Sequence, residues 1–292
     1  MSSKTGYVAT IGMFDGVHLG HQFVLGQVRQ TASLRALQPM VITFDHTLRP
    51  DPILTTLQEK LALIARTGIE RTEVLSFTDA LKQMTAREFM QQVLKNQLDV
   101  DVLLTGYDNR FGYHREEGFD DYVRYGRQMG IEVLRLPAEG NVSSSMIRTL
   151  LREGRVAEAT AKMGHPYMLE GSVAHGEHIG TQLGFPTANL EPTDPQKLVP
   201  SAGVYAVWAS VGGQSYHAMM NIGQRPTFDG HRTTLEVHVL HLNADLYGQR
   251  LTIQFIQRLR DEQRFSSAEA LRQQLLHDAE AAEQVLTQTE QI

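Results

Sequence analysis

Apolar positions along this chain follow two rhythms, and the change falls near residue 164. In the first half, short apolar runs rich in strand-forming residues occur at Tyr7–Ile11, Met40–Phe44, Val74–Phe77, Val102–Thr105 and Glu132–Leu136. The stretches between them carry helical spacing. "TLQEKLALIARTG" sets Leu57, Leu61 and Ile64 on one face and stops at Gly68. "TAREFMQQVLKNQL" opens with Thr85 and has Glu88 three residues later, a capping-box pattern. "FDDYVRYGRQMG" ends on Gly130. Strands alternating with helices predict a parallel sheet covered on both faces, whose ligands bind beyond the carboxyl ends of the strands.

Past residue 164 the helical spacing disappears. A short helix in "GRVAEATAKMGHPY" ends near Gly164, and Pro166 blocks its continuation. "YMLEGSVAHG", "GVYAVWASVGGQSYHAMMNIG", "TTLEVHVLHL" and "LTIQFIQRL" read as short strands, with Gly212-Gly213 as a hairpin turn. Several such strands predict a small antiparallel β-barrel. A last amphipathic helix, "AEALRQQLLHDAEAAEQVL", has Ser266 and Glu269 at its start with capping-box spacing. The expected organisation is an α/β domain over residues 1–163 and a β-barrel with a C-terminal helix over 164–292.

Composition narrows the function classes. The chain has 292 residues, enough for two cored domains, and 41% of them are hydrophobic. A formal net charge of -6 argues against nucleic acid as a partner. With 0 cysteines there are no disulfides, thiolate zinc sites or cysteine nucleophiles. The N-terminal segment lacks a signal-like apolar stretch, and no segment has the roughly 18 apolar residues of a membrane span. The expectation is a cytoplasmic protein with no membrane partner.

The candidate chemistry begins at "GMFDGVHLGH", Gly12 to His21, directly after the first strand. Neither a G-x-G-x-x-G fingerprint nor a P-loop is present. His18 and His21, three residues apart at a helix start, can face the same way. Gly20 between them lets a ligand approach the backbone, and the helix N-terminus offers free N–H groups. These features suit phosphate oxygens; a metal pair and plain surface histidines are the other readings. "VSSSMIR" adds a second element: Ser144 and Ser145 offer hydroxyl and N–H donors, and Arg148 a bidentate fork for phosphate. An N-capping serine followed by a solvated arginine is the simpler alternative.

H-x-G-H after the first strand and S-S-x-x-I-R near the end of the α/β half resemble the nucleotidylyltransferase superfamily. The longer "GMFDGVHLGHQ", with "TFD" at 43–45 and "GYDNRFG" at 106–112, is similar to its FAD synthetase branch, the N-terminal part of bifunctional bacterial riboflavin kinase/FMN adenylyltransferases. The second half also resembles that family's kinase, through "GTQLGFPTANL", "GVYAV", "NIGQRPTF", "LEVHVL" and "DLYG" in order. The resemblance implies a Rossmann-like nucleotidylyltransferase domain followed by the kinase barrel. It implies that riboflavin is phosphorylated to FMN, and FMN adenylylated to FAD, with ATP as co-substrate. By resemblance, Gly12, Phe14, His18, Gly20, His21, Ser144, Ser145 and Arg148 serve ATP in the first half, and Gly184 and Pro186 in the second. Flavin contacts are implied for Asp45, Asp108, Arg110, Asn221 and Arg225.

The kinase residues make chemical sense. Thr187 and Asn189 alternate on an extended segment, and their oxygens suit Mg²⁺ shared with nucleotide phosphates. Glu236 is the implied catalytic base for the riboflavin 5′-hydroxyl, although alternation alone makes it an outward strand residue. The chain departs from the family pattern at Thr47 and Leu48, where a histidine–proline pair is usual. Thr181 replaces a basic residue, and Asn109 an aromatic. Two alternatives follow: the same fold with kinase activity only, or a non-catalytic flavin binder.

Overall fold

A computed structural model describes residues 6–46, 50–107, 109–137, 141–174, 184–227 and 230–289. The chain forms two compact units, Met1–Ser143 and Ser144–Ile292.

The first unit is built on a parallel sheet of β1 (Tyr7–Ile11), β2 (Gln38–Phe44), β3 (Arg71–Leu75), β4 (Val100–Thr105) and β5 (Glu132–Arg135). Its order is β3-β2-β1-β4-β5. The chain therefore builds outward from β1 in one direction, then returns to add β4 on the other side. That reversal beside β1 is the switch point at which open α/β sheets leave a crevice for ligands. β3 starts three residues earlier than the apolar run at Val74 implies, because it is paired along β2 from Met40↔Arg71 to Phe44↔Leu75. As an edge strand it keeps polar residues: the Arg71 guanidinium lies 4.2 Å from the centre of the Tyr7 ring and bonds Glu73 at 2.9 Å.

Helices α1 (Leu19–Arg35), α2 (Leu57–Arg66), α3 (Asp79–Gln83), α4 (Ala86–Phe89) and α5 (Phe119–Met129) cover the sheet, and α4 continues as a π-helical segment over Met90–Gln97. The Thr85–Glu88 capping box forms in both directions, at 2.9 and 3.2 Å. Gly130 ends α5 with φ +71°. In α2 the buried face is Glu59, Lys60, Leu63 and Ile64, with Leu57 and Leu61 only half-buried. Reading apolar side chains alone turned this helix through part of a turn. Glu59 completes a capping box with Thr56, and the Lys60 amine finds backbone carbonyls, so both polar residues are accommodated inside.

The second unit begins with α6 (Ser144–Arg152) and α7 (Val156–Met163), which Gly164 ends with φ +76°. Strands β6 (Tyr167–Ala174), β7 (Ala188–Pro192), β8 (Gly203–Val211), β9 (Gln214–Thr227), β10 (Gly230–Val239) and β11 (Arg250–Arg260) close into an antiparallel barrel in the order β10-β7-β6-β11-β8-β9. Gly212 and Gly213, at φ +57° and +82°, make the predicted two-residue turn between β8 and β9. The helices ahead of the barrel belong to its unit: Ser201 N–H donates to the Leu151 carbonyl at 3.1 Å, and a Cβ on Gly154 would meet Ser201 Oγ at 2.7 Å. The compact units thus divide 20 residues before the activity boundary expected at 163/164.

Helix α8 (Ala268–Thr289) packs Ala282 and Leu286 against Ala206 and Met219 on the outside of the barrel. The Arg260 guanidinium holds the buried Asp278 carboxylate of α8 through bonds of 2.9 and 2.7 Å. The cap of α8 is Ser267, whose hydroxyl accepts from Ala270 N–H at 3.1 Å; the spacing of Ser266 and Glu269 named a residue one place too early. Among the described residues no helix is long and apolar enough to cross a membrane.

Candidate active sites

The turn that leaves β1 at the switch point is strained. Phe14 and Val17 have φ of +49° and +38°, unusual for residues with a Cβ. The turn is over-determined by its neighbours. The Asp15 carboxylate accepts from the backbone N–H groups of Leu54 and Thr55 at 2.9 and 3.0 Å, and Gly16 N–H donates to Thr55 Oγ1 at 3.0 Å. Gly16 itself is at φ +84°, where a Cβ would also meet Leu54 Cδ1 at 2.9 Å.

His18 is the N-cap of α1. Its Nδ1 accepts the backbone N–H of His21 at 3.3 Å. A backbone amide can only donate, so the ring is neutral and carries its proton on Nε2, where it is a donor for an anionic oxygen. Burial agrees: His18 is 5% exposed, and its pKa is lowered to about 4. The His21 ring stacks on it at 3.6 Å between centroids, and Phe14 meets His21 edge-on at 5.2 Å. Burial, then the neighbouring His18 and Lys60, hold His21 well below the usual histidine range. A Cβ at Gly20 would sit 3.2 Å from His18 Cε1, so any larger residue there would press on that ring. The turn therefore presents two stacked imidazoles at a helix N-terminus, with no carboxylate between them. Among the described residues no group of three or more His, Cys, Asp or Glu could hold a metal ion.

Because His18 caps the helix only when neutral, acid should weaken this unit. Its folded pKa lies below the unfolded value of 6.5, so the stabilisation is present above pH 6.5 and is lost as pH falls toward about 4. The loss from this group is about 3 kcal/mol. Urea unfolding of the first unit at pH 7 and pH 4.5 should show it, with a smaller drop for His18→Asn, whose cap does not titrate. Equal drops in both proteins would reject the neutral-cap assignment.

Of the second phosphate element, Ser144 opens α6, Ser145 is exposed, and Arg148 is buried at 6% exposure, not a solvated arginine. Of the residues for which the resemblance implies flavin contacts, Asp45 accepts a bond from Ser76 that, with His46 at 2.5 Å, holds its carboxyl below the usual range. Arg110 is exposed, whereas Asn109 donates its side-chain amide to the Ile11 carbonyl at the end of β1. Asp108, Thr47, Leu48 and Thr181 lie outside the described residues, as does the side chain of Arg225.

The second candidate site lies on the barrel. On β10, Leu235, Val237 and Val239 are buried and Glu236 and His238 alternate with them. Glu236 therefore faces outward, as alternation predicts. Its cross-strand neighbours are Asn189 on β7 and Asn221 on β9, both half-buried. The three polar side chains form a row across the outer face. "GFP" is anchored beside that row. Phe185 packs with Met219, Leu240 and Ala282, and meets the His238 ring at 5.2 Å. His238 Nδ1–H donates to the Pro186 carbonyl at 2.8 Å. Gly184 is at φ +83° with open space around its Cβ position, so backbone conformation is what demands glycine there. The anchored segment delivers Thr187 and Asn189, both half-buried, to the edge of the row. Their donors are neutral oxygens, a set that suits a hard cation shared with phosphates better than a cage made by the protein alone.

Sequence reasoning missed two residues here. Lys60 was hidden by the assumption that a lysine faces solvent, though its i, i+3, i+4 spacing with Leu63 and Ile64 marks the buried stripe. His238 carries the same two-residue alternation as Glu236 and was passed over.

Comparison with known proteins gives a consistent picture. The family model for FAD synthetase matches residues 1–148, and that for riboflavin kinase matches residues 163–286. A bifunctional riboflavin kinase/FMN adenylyltransferase from Pseudomonas fluorescens is 37% identical over 95% of this chain and 92% of its own. One from Bacillus subtilis is 33% identical over 94% of this chain and 91% of its own. A crystal structure of a protein named as a macrolide-efflux protein from Streptococcus pneumoniae superposes with a TM-score of 0.88 at 30% identity, covering 97% of this chain and 95% of that one.

Proposed function

The chain belongs to the bifunctional riboflavin kinase/FMN adenylyltransferase family, and we propose on that premise how its residues divide the work. The enzyme phosphorylates riboflavin to FMN with one ATP and adenylylates FMN with another, giving FAD and pyrophosphate. The cytoplasm is the proposed setting.

In the first unit, the His18 Nε2–H and the His21 ring receive ATP phosphate oxygens at the N-terminus of α1. A phosphate oxygen of FMN attacks the α-phosphorus while the bond to pyrophosphate breaks. No proton has to leave the nucleophile and no covalent enzyme intermediate forms, so the chain contributes position and donors aimed at the developing charge. Imidazoles that are neutral before ATP arrives suit this role.

In the second unit, Glu236 accepts the proton of the riboflavin 5′-hydroxyl as its oxygen attacks the γ-phosphorus of ATP. Thr187 Oγ1 and the Asn189 side-chain oxygen would hold Mg²⁺, which when bound neutralises phosphate charge and aligns the γ-phosphoryl group. The observation that carries the reading is the pairing of Glu236 with Asn189 across β10 and β7, which sets a carboxylate beside a cation ligand. Incubating the protein with riboflavin, Mg²⁺ and ATP, then separating the flavins, tests it. FMN followed by FAD is expected. FMN alone would remove the adenylyltransferase half, and unchanged riboflavin would remove the kinase half, leaving the other to be read with supplied FMN.

A further inference from the structure

Lys60 is a buried ionisable group that neither reaction above employs. It is 4% exposed, in the first turn of α2. Lysine is almost never that buried unless its charge is met, because desolvating an ammonium is costly. Here it is met mainly by backbone. Nζ donates to the Phe44 carbonyl at 2.7 Å and to the Met13 carbonyl at 3.2 Å. The Met13 carbonyl takes a second bond from Thr43 Oγ1 at 3.2 Å. The ionisable groups facing the ammonium are Asp15, Asp45 and His21.

These contacts have a specific placement. Met13 immediately precedes the left-handed Phe14, whose ring edge abuts His21. Phe44 ends β2 and immediately precedes Asp45, where the resemblance implies a flavin contact and where the loop here called flavin-side begins. One ammonium thus spans the carboxyl ends of β1 and β2 and joins the backbone that carries the histidines to the backbone that leads into the flavin loop. Beyond Gly12 N–H to the Ile42 carbonyl at 3.0 Å, the parallel ladder between these strands has ended, so the lysine continues their pairing where the strands can no longer do it.

We propose that Lys60 is a positioning residue for adenylyl transfer, clamping the histidine-bearing turn at Met13 to the flavin-side loop at Phe44 so that the two substrates' phosphates are held in one frame. The inference rests on assigning that turn to FAD formation. In-line transfer needs the attacking oxygen and the phosphorus at near-attack distance, and a displacement of about 1 Å can cost about 100-fold. A methionine would fill the same space without the desolvation cost, so loss of the clamp should appear in turnover more than in folding.

The test compares Lys60→Met and Lys60→Arg with the unmodified chain, measuring FAD formation from supplied FMN and FMN formation from riboflavin. In Lys60→Met, kcat for FAD formation should fall about 100-fold while KM for ATP and FMN moves only a few-fold, and FMN formation should stay within twofold. Lys60→Arg should recover much of the loss, since it retains charge and donors. Burial lowers the Lys60 pKa to about 8, so FAD formation by the unmodified chain should decline as pH rises through 8, and this decline should move upward in Lys60→Arg. One readout needs no turnover: the His21 imidazole, followed by NMR, should titrate at higher pH in Lys60→Met, because a repelling charge is gone. FAD turnover in Lys60→Met within threefold of the unmodified chain, equal loss of both activities, an unmoved alkaline decline in Lys60→Arg, or an unmoved His21 titration would overturn the clamp. Absence of FAD formation by the unmodified chain would instead defeat the assignment of the turn, and the His21 titration would still report on the clamp.

Discussion

His21→Ala should lose FAD formation and keep FMN formation. The substitution removes an imidazole but not the helix start, because what His18 caps is the backbone N–H of residue 21, which alanine retains. Alanine is also the best helix former, so the first turn of α1 is not weakened by propensity. What disappears is one phosphate donor and the ring stacked at 3.6 Å on His18 that fixes its orientation. Removing a single preorganised donor to a developing oxyanion costs about 100- to 1,000-fold in turnover. FAD formation from supplied FMN should fall by at least that range. Glu236, Thr187 and Asn189 belong to the other compact unit, so riboflavin phosphorylation should be unchanged within twofold. Separating FMN from FAD after incubation reads both in one sample. Equal loss of the two activities in a folded variant would defeat the assignment of the histidine turn to adenylyl transfer alone.

The distance between sequence and structure varies by element for physical reasons. β1 was legible to the residue because it is central and buried, so its apolar run and its extent coincide. β3 was not, because an edge strand tolerates Arg71 and Glu73 and its length is set by pairing with β2. The Thr85–Glu88 box was legible because both of its bonds are local. Ser267 was missed because Ser266 satisfied the same pattern one residue early, and only the start of α8 chooses between them. The histidine turn could be located from its glycines, but its protonation could not. The neutral state of His18 follows from a backbone amide aimed at Nδ1 and from burial, neither of which is in the motif. Lys60 shares the helical spacing of Leu63 and Ile64, but burying a lysine is rational only once the carbonyls that receive it are placed.

Glu236 shows how a correct local reading can be set against the wrong alternative. Alternation makes it outward-facing, and it does face outward; its chemistry depends on what shares that face. Asn189 and Asn221 stand opposite it on both neighbouring strands, and Thr187 enters the same edge from a segment fixed by Phe185 and by the His238 bond to Pro186. The proposed base role needs an outward carboxylate in a row of polar, half-buried side chains, as here, whereas one standing alone would be a solvated charge. Glu236→Gln separates these cases. The amide keeps the size and the cross-strand packing but cannot accept the proton of the 5′-hydroxyl. General-base assistance contributes about 100- to 10,000-fold, so kcat for FMN formation should fall within that range while KM for riboflavin and ATP changes little. FAD formation from supplied FMN should remain, because its nucleophile is a phosphate with no proton to lose. The barrel should unfold at the unmodified temperature, since Leu235 and Val237 beside it are untouched. Turnover of FMN formation equal to that of the unmodified chain would reject Glu236 as the base and leave the asparagine row as a binding surface for flavin or cation without acid–base work.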